Sequence, residues 1–213
     1  MKTFVLMGDS ITDGCRDRNI GHQNYFGLGA GMGYANYIMS EIDYKYPKKY
    51  NVVNKGIGGN RIVDLYSRIK QDCINLNPDF LTILIGVNDV WHEYEYKCGV
   101  DIDKYYKIYS MYIEEIKEAC PNIKIYIIEP FALKGPVPDK FEGFLETVKE
   151  YAKKAKEVAE KYDLTFIEMQ NKFDALCEKC ESTYWLTDGV HPTLGGYRMM
   201  ANEIMKVIEK DIK

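Results

Sequence analysis

Phe80-Leu-Thr-Ile-Leu-Ile85 is apolar at every position but Thr82. Such a run has no alternating polar face, as expected of a strand covered on both sides in a parallel sheet. Working outward, shorter apolar runs rich in β-branched residues lie at 4–7, 52–53, 123–128 and 164–167. Helical patterns fill the intervals at about 32–46, 61–76, 101–119, 138–162 and 194–211. Residues 146–161 are rich in Ala, Lys and Glu, all good helix formers. Asn77-Pro78 and Cys120-Pro121 each place a proline after a helix and before a strand, a normal stop signal. This alternation predicts an α/β protein: a three-layer α/β/α sandwich of flavodoxin-like topology around a five-stranded parallel sheet. Residues 13–31 and 87–100 read as long irregular pieces, and long loops in a compact domain are often functional.

The 213 residues are 46% hydrophobic and 28% charged, with net charge −4, which fits one globular domain spanning residues 1–213. The composition is not that of a disordered chain. No apolar run approaches the roughly 20 residues needed to span a bilayer, so no membrane partner is expected. The mild acidity argues against a nucleic-acid partner, which usually meets a basic face. The apolar piece at 4–7 is too short for a secretory signal. The chain as it stands therefore reads as cytoplasmic; an exported protein trimmed of its signal is the alternative. Cys15, Cys73, Cys98, Cys120, Cys177 and Cys180 are scattered in a domain large enough not to need staples, which suggests reduced thiols. Cys177-Glu-Lys-Cys180 is a lone CxxC with no second pair and no nearby His, short of the ligands zinc requires, so no metal is expected.

In a doubly wound sheet of order 2-1-3-4-5, the loops after strands 1, 2 and 3 converge beyond the strands' carboxyl ends, where ligands bind. Those loops hold Gly8-Asp9-Ser10, Gly56-Ile57-Gly58-Gly59-Asn60 and Gly86-Val87-Asn88-Asp89. Ser10 is a nucleophile candidate at a strand-to-helix turn, where backbone N–H groups can face a developing oxyanion. Ser10-Ile-Thr-Asp13 also matches a capping box, and a serine in that context, taken alone, is more often a helix cap. The segment does not match GxSxG. A serine hydroxyl needs a base, and the chain offers His22, His92 and His191. His191 follows Asp188 by three residues, a spacing that lets the carboxylate hold one ring nitrogen while the other faces the serine. An Asx turn closed by Asp188, with His191 merely exposed, explains the same residues. His22 and His92 read as rim residues. Gly59 and Asn88 suit oxyanion donation through a backbone N–H and a side-chain amide, or equally a turn glycine and a helix cap. Gly56-Ile-Gly-Gly-Asn-Arg61 begins like a dinucleotide fingerprint, but Arg61 occupies the position that helix–strand packing reserves for a small residue. No P-loop occurs, and no cofactor is expected.

The four segments, including Asp188-Gly-Val-His191, stand in the order and spacing of the GDSL-type SGNH hydrolase family. The chain resembles that family over essentially its whole length. The resemblance implies Ser10 as nucleophile, Asp188 and His191 as the rest of a triad, and the Ser10 amide, Gly59 and Asn88 as oxyanion hole. Ile11 stands where many members have Leu, as is common in the carbohydrate-esterase branches. Gly8-Asp-Ser-Ile-Thr-Asp13, Val53-Asn-Lys-Gly-Ile57, Ile85-Gly-Val-Asn-Asp-Val-Trp91 and Pro130-Phe131 are similar to the cytoplasmic acetyl-xylooligosaccharide esterases. That likeness implies deacetylation of small acetylated carbohydrates such as xylo-oligosaccharides, and a homo-oligomer. A lysophospholipase, a thioesterase or a broad short-chain esterase on the same site is the alternative within enzymes. A non-enzymatic carbohydrate-binding protein is disfavoured by the intact Ser, Asn, Asp and His set. Asp9, Trp91, Phe131 and Trp185 are expected to contact substrate; the flat faces of the three aromatic residues suit sugar rings, although they fill cores equally well.

Overall fold

The computed structural model describes residues 1–19 and 27–212. His22 lies outside the described residues. The strands are β1 (Lys2–Gly8), β2 (Tyr50–Asn54), β3 (Phe80–Leu84), β4 (Lys124–Ile128) and β5 (Thr165–Ile167). They form a parallel sheet of order β2-β1-β3-β4-β5. Strand β1 is the pivot: Val5 pairs with Val53 on one side and Leu81 on the other. With neighbours on both edges and helices on both faces, Phe4, Val5, Leu6 and Met7 are fully buried. The unbroken apolar run of β3 has the same cause.

The helices are α1 (Ser10–Asp13), α2 (Tyr34–Lys45), α3 (Ile62–Ser67), α4 (Ile69–Asp72), α5 (Val87–Tyr96), α6 (Ile102–Ala119), α7 (Phe144–Lys161), α8 (Gln170–Cys177), α9 (Ser182–Trp185) and α10 (Leu194–Ile208). Helix α2 packs with α10, while α6 packs with α3 and α7. No helix among the described residues is long and apolar enough to cross a membrane.

Three local expectations are corrected. Residues 87–96 are the helix α5 rather than loop, and its first turn buries Val87, Asn88, Asp89 and Val90. The single helix expected at 61–76 is broken at Arg68, whose backbone leaves helical space at φ −113° and ψ 15°. The Arg68 guanidinium there donates to the carbonyl of Lys55 at 2.8 Å and to that of Gly8 at 3.2 Å, tying the break to the ends of β1 and β2. The helix expected from 138 starts at Phe144, after a short 3-10 turn at Pro138–Lys140 and the left-handed Gly143.

Candidate active site

β1 ends at Gly8 and the chain turns directly into α1. Asp9 is the N-cap: its Oδ1 accepts the Ile11 amide at 3.0 Å. The capping duty falls to Asp9, and Ser10 is free of it. The Ser10 hydroxyl instead lies 2.8 Å from His191 Nε2. On the other side of the ring, His191 Nδ1 is 2.7 Å from Asp188 Oδ2. Asp188 Oδ1 accepts the backbone amides of Val190 at 2.9 Å and His191 at 2.8 Å. The Asx turn and the carboxylate–imidazole pair thus coexist, one on each oxygen of Asp188.

The turn that carries these two residues is closed by an antiparallel pairing of Leu186 with Pro192, in which the Thr187 amide donates to the His191 carbonyl at 2.8 Å and the Thr193 amide to the Trp185 carbonyl at 2.9 Å. It is seated on the loop after β4, where the amides of Leu133 and Val137 donate to the carbonyls of Gly189 and Asp188, both at 2.9 Å. The strand-4 loop therefore brings Asp188 and His191 to the edge where β1 ends.

Electrostatics fix the protonation pattern. Burial works against ionisation of Asp188, but the His191 ring, the His191 and Val190 amides and the imidazole charge outweigh it and hold the carboxyl at about 2. As an ionised acceptor, Asp188 takes the Nδ1 hydrogen, which leaves Nε2 of the neutral ring to accept from Ser10. The bond to Asp188 raises the His191 pKa against the opposing effect of burial, and the charges of Asp188 and Asp9 add to the rise.

A hollow of about 230 Å³ opens over this pair, lined by Ser10, Gly59, Asn88, Trp91, His92, Tyr96 and His191. Gly59 has φ +80°, a left-handed conformation that glycine adopts without strain. Asn88 Nδ2 donates to the Asn60 carbonyl at 3.2 Å, which ties α5 to the Gly59 turn. The Trp91 ring lies 6.0 Å from the His191 ring, and the His92 ring stands edge-on to Tyr96 at 5.5 Å. His92 is thus at the rim, next to Gly59, with its pKa lowered by burial and by the Arg61 charge.

Three expected substrate contacts are corrected. Asp9 is wholly buried, and burial pushes its carboxyl up to about 7. Phe131 is 0% exposed and packs against Phe173 at 4.5 Å, so it is core. Trp185 does not line the hollow; its ring lies against Tyr184 at 4.9 Å and beside Gly195 at the start of α10. Of the four expected contacts, only Trp91 lines the hollow. Among the described residues, no three His, Cys, Asp or Glu side chains gather as metal donors.

The GDSL-like lipase/acylhydrolase family model matches residues 6–199. The chain belongs to this family. It is 31% identical over 208 residues to an acetylxylan esterase of Geobacillus stearothermophilus, a match covering 96% of this chain and 93% of that one. Among solved structures, it superposes on that organism's Axe2 acetylxylan esterase with TM-score 0.85 and 30% identity, covering 96% of this chain and 93% of the other. A protein assigned as a GDSL-like lipase from Parabacteroides merdae gives TM-score 0.88 and 33% identity, covering 96% and 94%. Structures of Axe2 include catalytic mutants with a serine or an aspartate replaced by alanine. The chain is accordingly a carboxylic ester hydrolase of the GDSL family.

Proposed function

We propose that the protein deacetylates short acetylated oligosaccharides, such as acetylated xylo-oligosaccharides, through an acyl-enzyme on Ser10. The observation that carries the reading is the hydrogen-bonded chain from Ser10 through His191 to Asp188, at 2.8 Å and 2.7 Å. Ser10 Oγ attacks the acetyl carbonyl carbon as its proton passes to His191 Nε2. The carbonyl oxygen becomes an oxyanion, stabilised by the Ser10 and Gly59 amides and the Asn88 side chain. The tetrahedral species collapses, its bond to the sugar oxygen breaks, and His191 returns the proton to the departing alkoxide. Water then repeats the sequence: it gives a proton to His191, its oxygen attacks the acetyl-serine, and Ser10 leaves with the proton as acetate is freed. Asp188 holds the imidazole in the required tautomer throughout.

The size of the hollow supports a short acyl group: about 230 Å³ is below the roughly 300–1,000 Å³ of drug-sized ligand pockets. Trp91 and Tyr96 at its rim offer ring faces to a sugar, and Tyr96 is 61% exposed. The acetylxylan esterase of similar sequence supports the acetylated carbohydrate. Acetate release from a panel of acetylated oligosaccharides, with a nitrophenyl ester series from acetyl to decanoyl, tests both halves. Preference for decanoyl over acetyl would replace the reading with a long-chain acylhydrolase.

A further inference from the structure

The turn at residues 56–62 carries Gly59, and it is bonded at both ends to side chains of the two helices that carry the other proposed oxyanion donors. Near its start, the Gly58 amide donates to Asp13 Oδ2 at 3.0 Å. Asp13 is the last residue of α1, the helix that opens with Ser10. Near its end, the Ile62 amide donates to Asp89 Oδ1 at 3.0 Å, and Oδ2 lies at 3.3 Å. Asp89 directly follows Asn88 in α5. Asp13 is 6% exposed and Asp89 is fully buried, so neither carboxylate is built to meet substrate.

The Asp13 carboxylate is itself fixed. Arg18 donates to its Oδ2, the Arg16 amide donates to Oδ1 at 3.3 Å, and the Arg16 side chain reaches the Gly56 carbonyl at 3.1 Å. The backbone of the turn lies tight on α1: a Cβ on Gly56 would come within 2.2 Å of the Asp13 nitrogen. Asn54 locks the same junction, donating to the carbonyls of Thr12 at 2.7 Å and Ala30 at 2.8 Å while accepting the Gly56 amide at 2.9 Å.

We propose that Asp13 and Asp89 are positioning residues that pin the two ends of the 58–62 turn, and so hold the Gly59 amide in register with the Ser10 amide and the Asn88 side chain. The proposal rests on the oxyanion reading of Gly59 and Asn88. An oxyanion hole works because its donors are oriented before charge develops, and a displacement of about 1 Å can cost on the order of 10²-fold in rate. Loss of a pin should therefore lower kcat and spare KM.

The test is steady-state hydrolysis of nitrophenyl acetate by Asp13→Ala and Asp13→Asn, each alone and combined with Asn88→Ala, on protein whose folding is verified by circular dichroism. Asp13→Ala should lower kcat on the order of 10²-fold with KM within about twofold. Asp13→Asn keeps an oxygen facing the Gly58 amide and should recover most of that loss. Asn88→Ala should cost less in the Asp13→Ala background than in the parent, because the misplaced turn already weakens the contact. A merely structural Asp13 would lower thermal stability and leave the Asn88→Ala penalty unchanged. If Asp13→Ala does not fold, Asp89→Leu, which removes the acceptor and keeps volume, carries the same expectations. An Asn88→Ala variant with full activity would overturn the oxyanion reading itself. A penalty that is large in the parent and equally large beside the pin variants would overturn the pins alone.

Discussion

The amide of Ile11 donates to Asp9 Oδ1 at 3.0 Å, so the residue before Ser10 closes the first turn of α1. Two duties that the sequence lets a single serine hold are divided between neighbours in the chain. Asp9 faces inward and secures the backbone; Ser10 keeps its hydroxyl for His191.

That division sets the outcome of Ser10→Ala. Losing a cap costs about 1 kcal/mol, but here the cap stays in place. The variant should melt within about a degree of the parent while hydrolysis falls on the order of 10⁴-fold or more. Activity assays beside thermal melts check both, and a fluorophosphonate should label Ser10 in the parent.

Asn88→Ala should lower kcat by roughly 10²–10³ with KM nearly unchanged, since an oxyanion contact strengthens only in the transition state. An effect confined to KM would make Asn88 a ground-state contact.

The pH profile should expose the base. His191 must be neutral to accept the serine proton, so kcat/KM should fall on the acid side through a single group titrating above the ordinary imidazole value. Asp188→Asn removes the negative charge that favours imidazolium and should move the limb to lower pH. His92→Gln should leave the limb where it is, and its disappearance there would make His92 the base.

Asp9 also predicts a stability trend. Its carboxyl titrates near 7 in the folded protein against an ordinary value of 3.8, because burial disfavours the charge. The folded state thus holds the proton more tightly. Between about pH 4 and 7 the Asp9 contribution to stability falls as pH rises, and it levels off above 7. Asp9→Asn keeps a capping oxygen and escapes that fall. The difference in Tm between variant and parent should grow from pH 4.5 to 7 and then hold constant; a difference independent of pH would show that Asp9 does not titrate in this range.

Phe131→Ala separates core from substrate contact. A buried ring on Phe173 should cost about 3–5 kcal/mol of stability on truncation, with KM unchanged in the folded fraction. A changed KM at unchanged Tm would restore Phe131 to the substrate surface.

The sheet was legible because its interior strands are apolar on both faces, and 80–85 shows this without interruption. Helix α5 was not legible for a related reason. Its first turn buries Asn88 and Asp89, so the face that should read apolar reads polar, and the segment resembles a loop. Functional sites are where such local rules are expected to break. The residues of the Ser10, Asp188 and His191 chain were readable one by one, yet the spacing of Asp188 and His191 fits an Asx turn as well as it fits a base and its orienter. The structure contains both. Aromatic residues were the weakest guide: composition cannot separate Trp91 at the rim from Phe131 in the core, because both follow strands whose ends lie at the same edge.

The proposed nucleophile stands at residue 10 and its proposed base at 191, on a turn resting against the loop after β4. Synthesis delivers Ser10 181 residues before His191. A growing chain holds Ser10, Gly59 and Asn88 long before it holds His191, so a partly made or C-terminally clipped product has the serine and no partner to deprotonate it. Ester hydrolysis therefore reports a long-range contact: in refolding, the return of activity marks the docking of the turn carrying Asp188 and His191 beside Ser10, which helix content alone does not register.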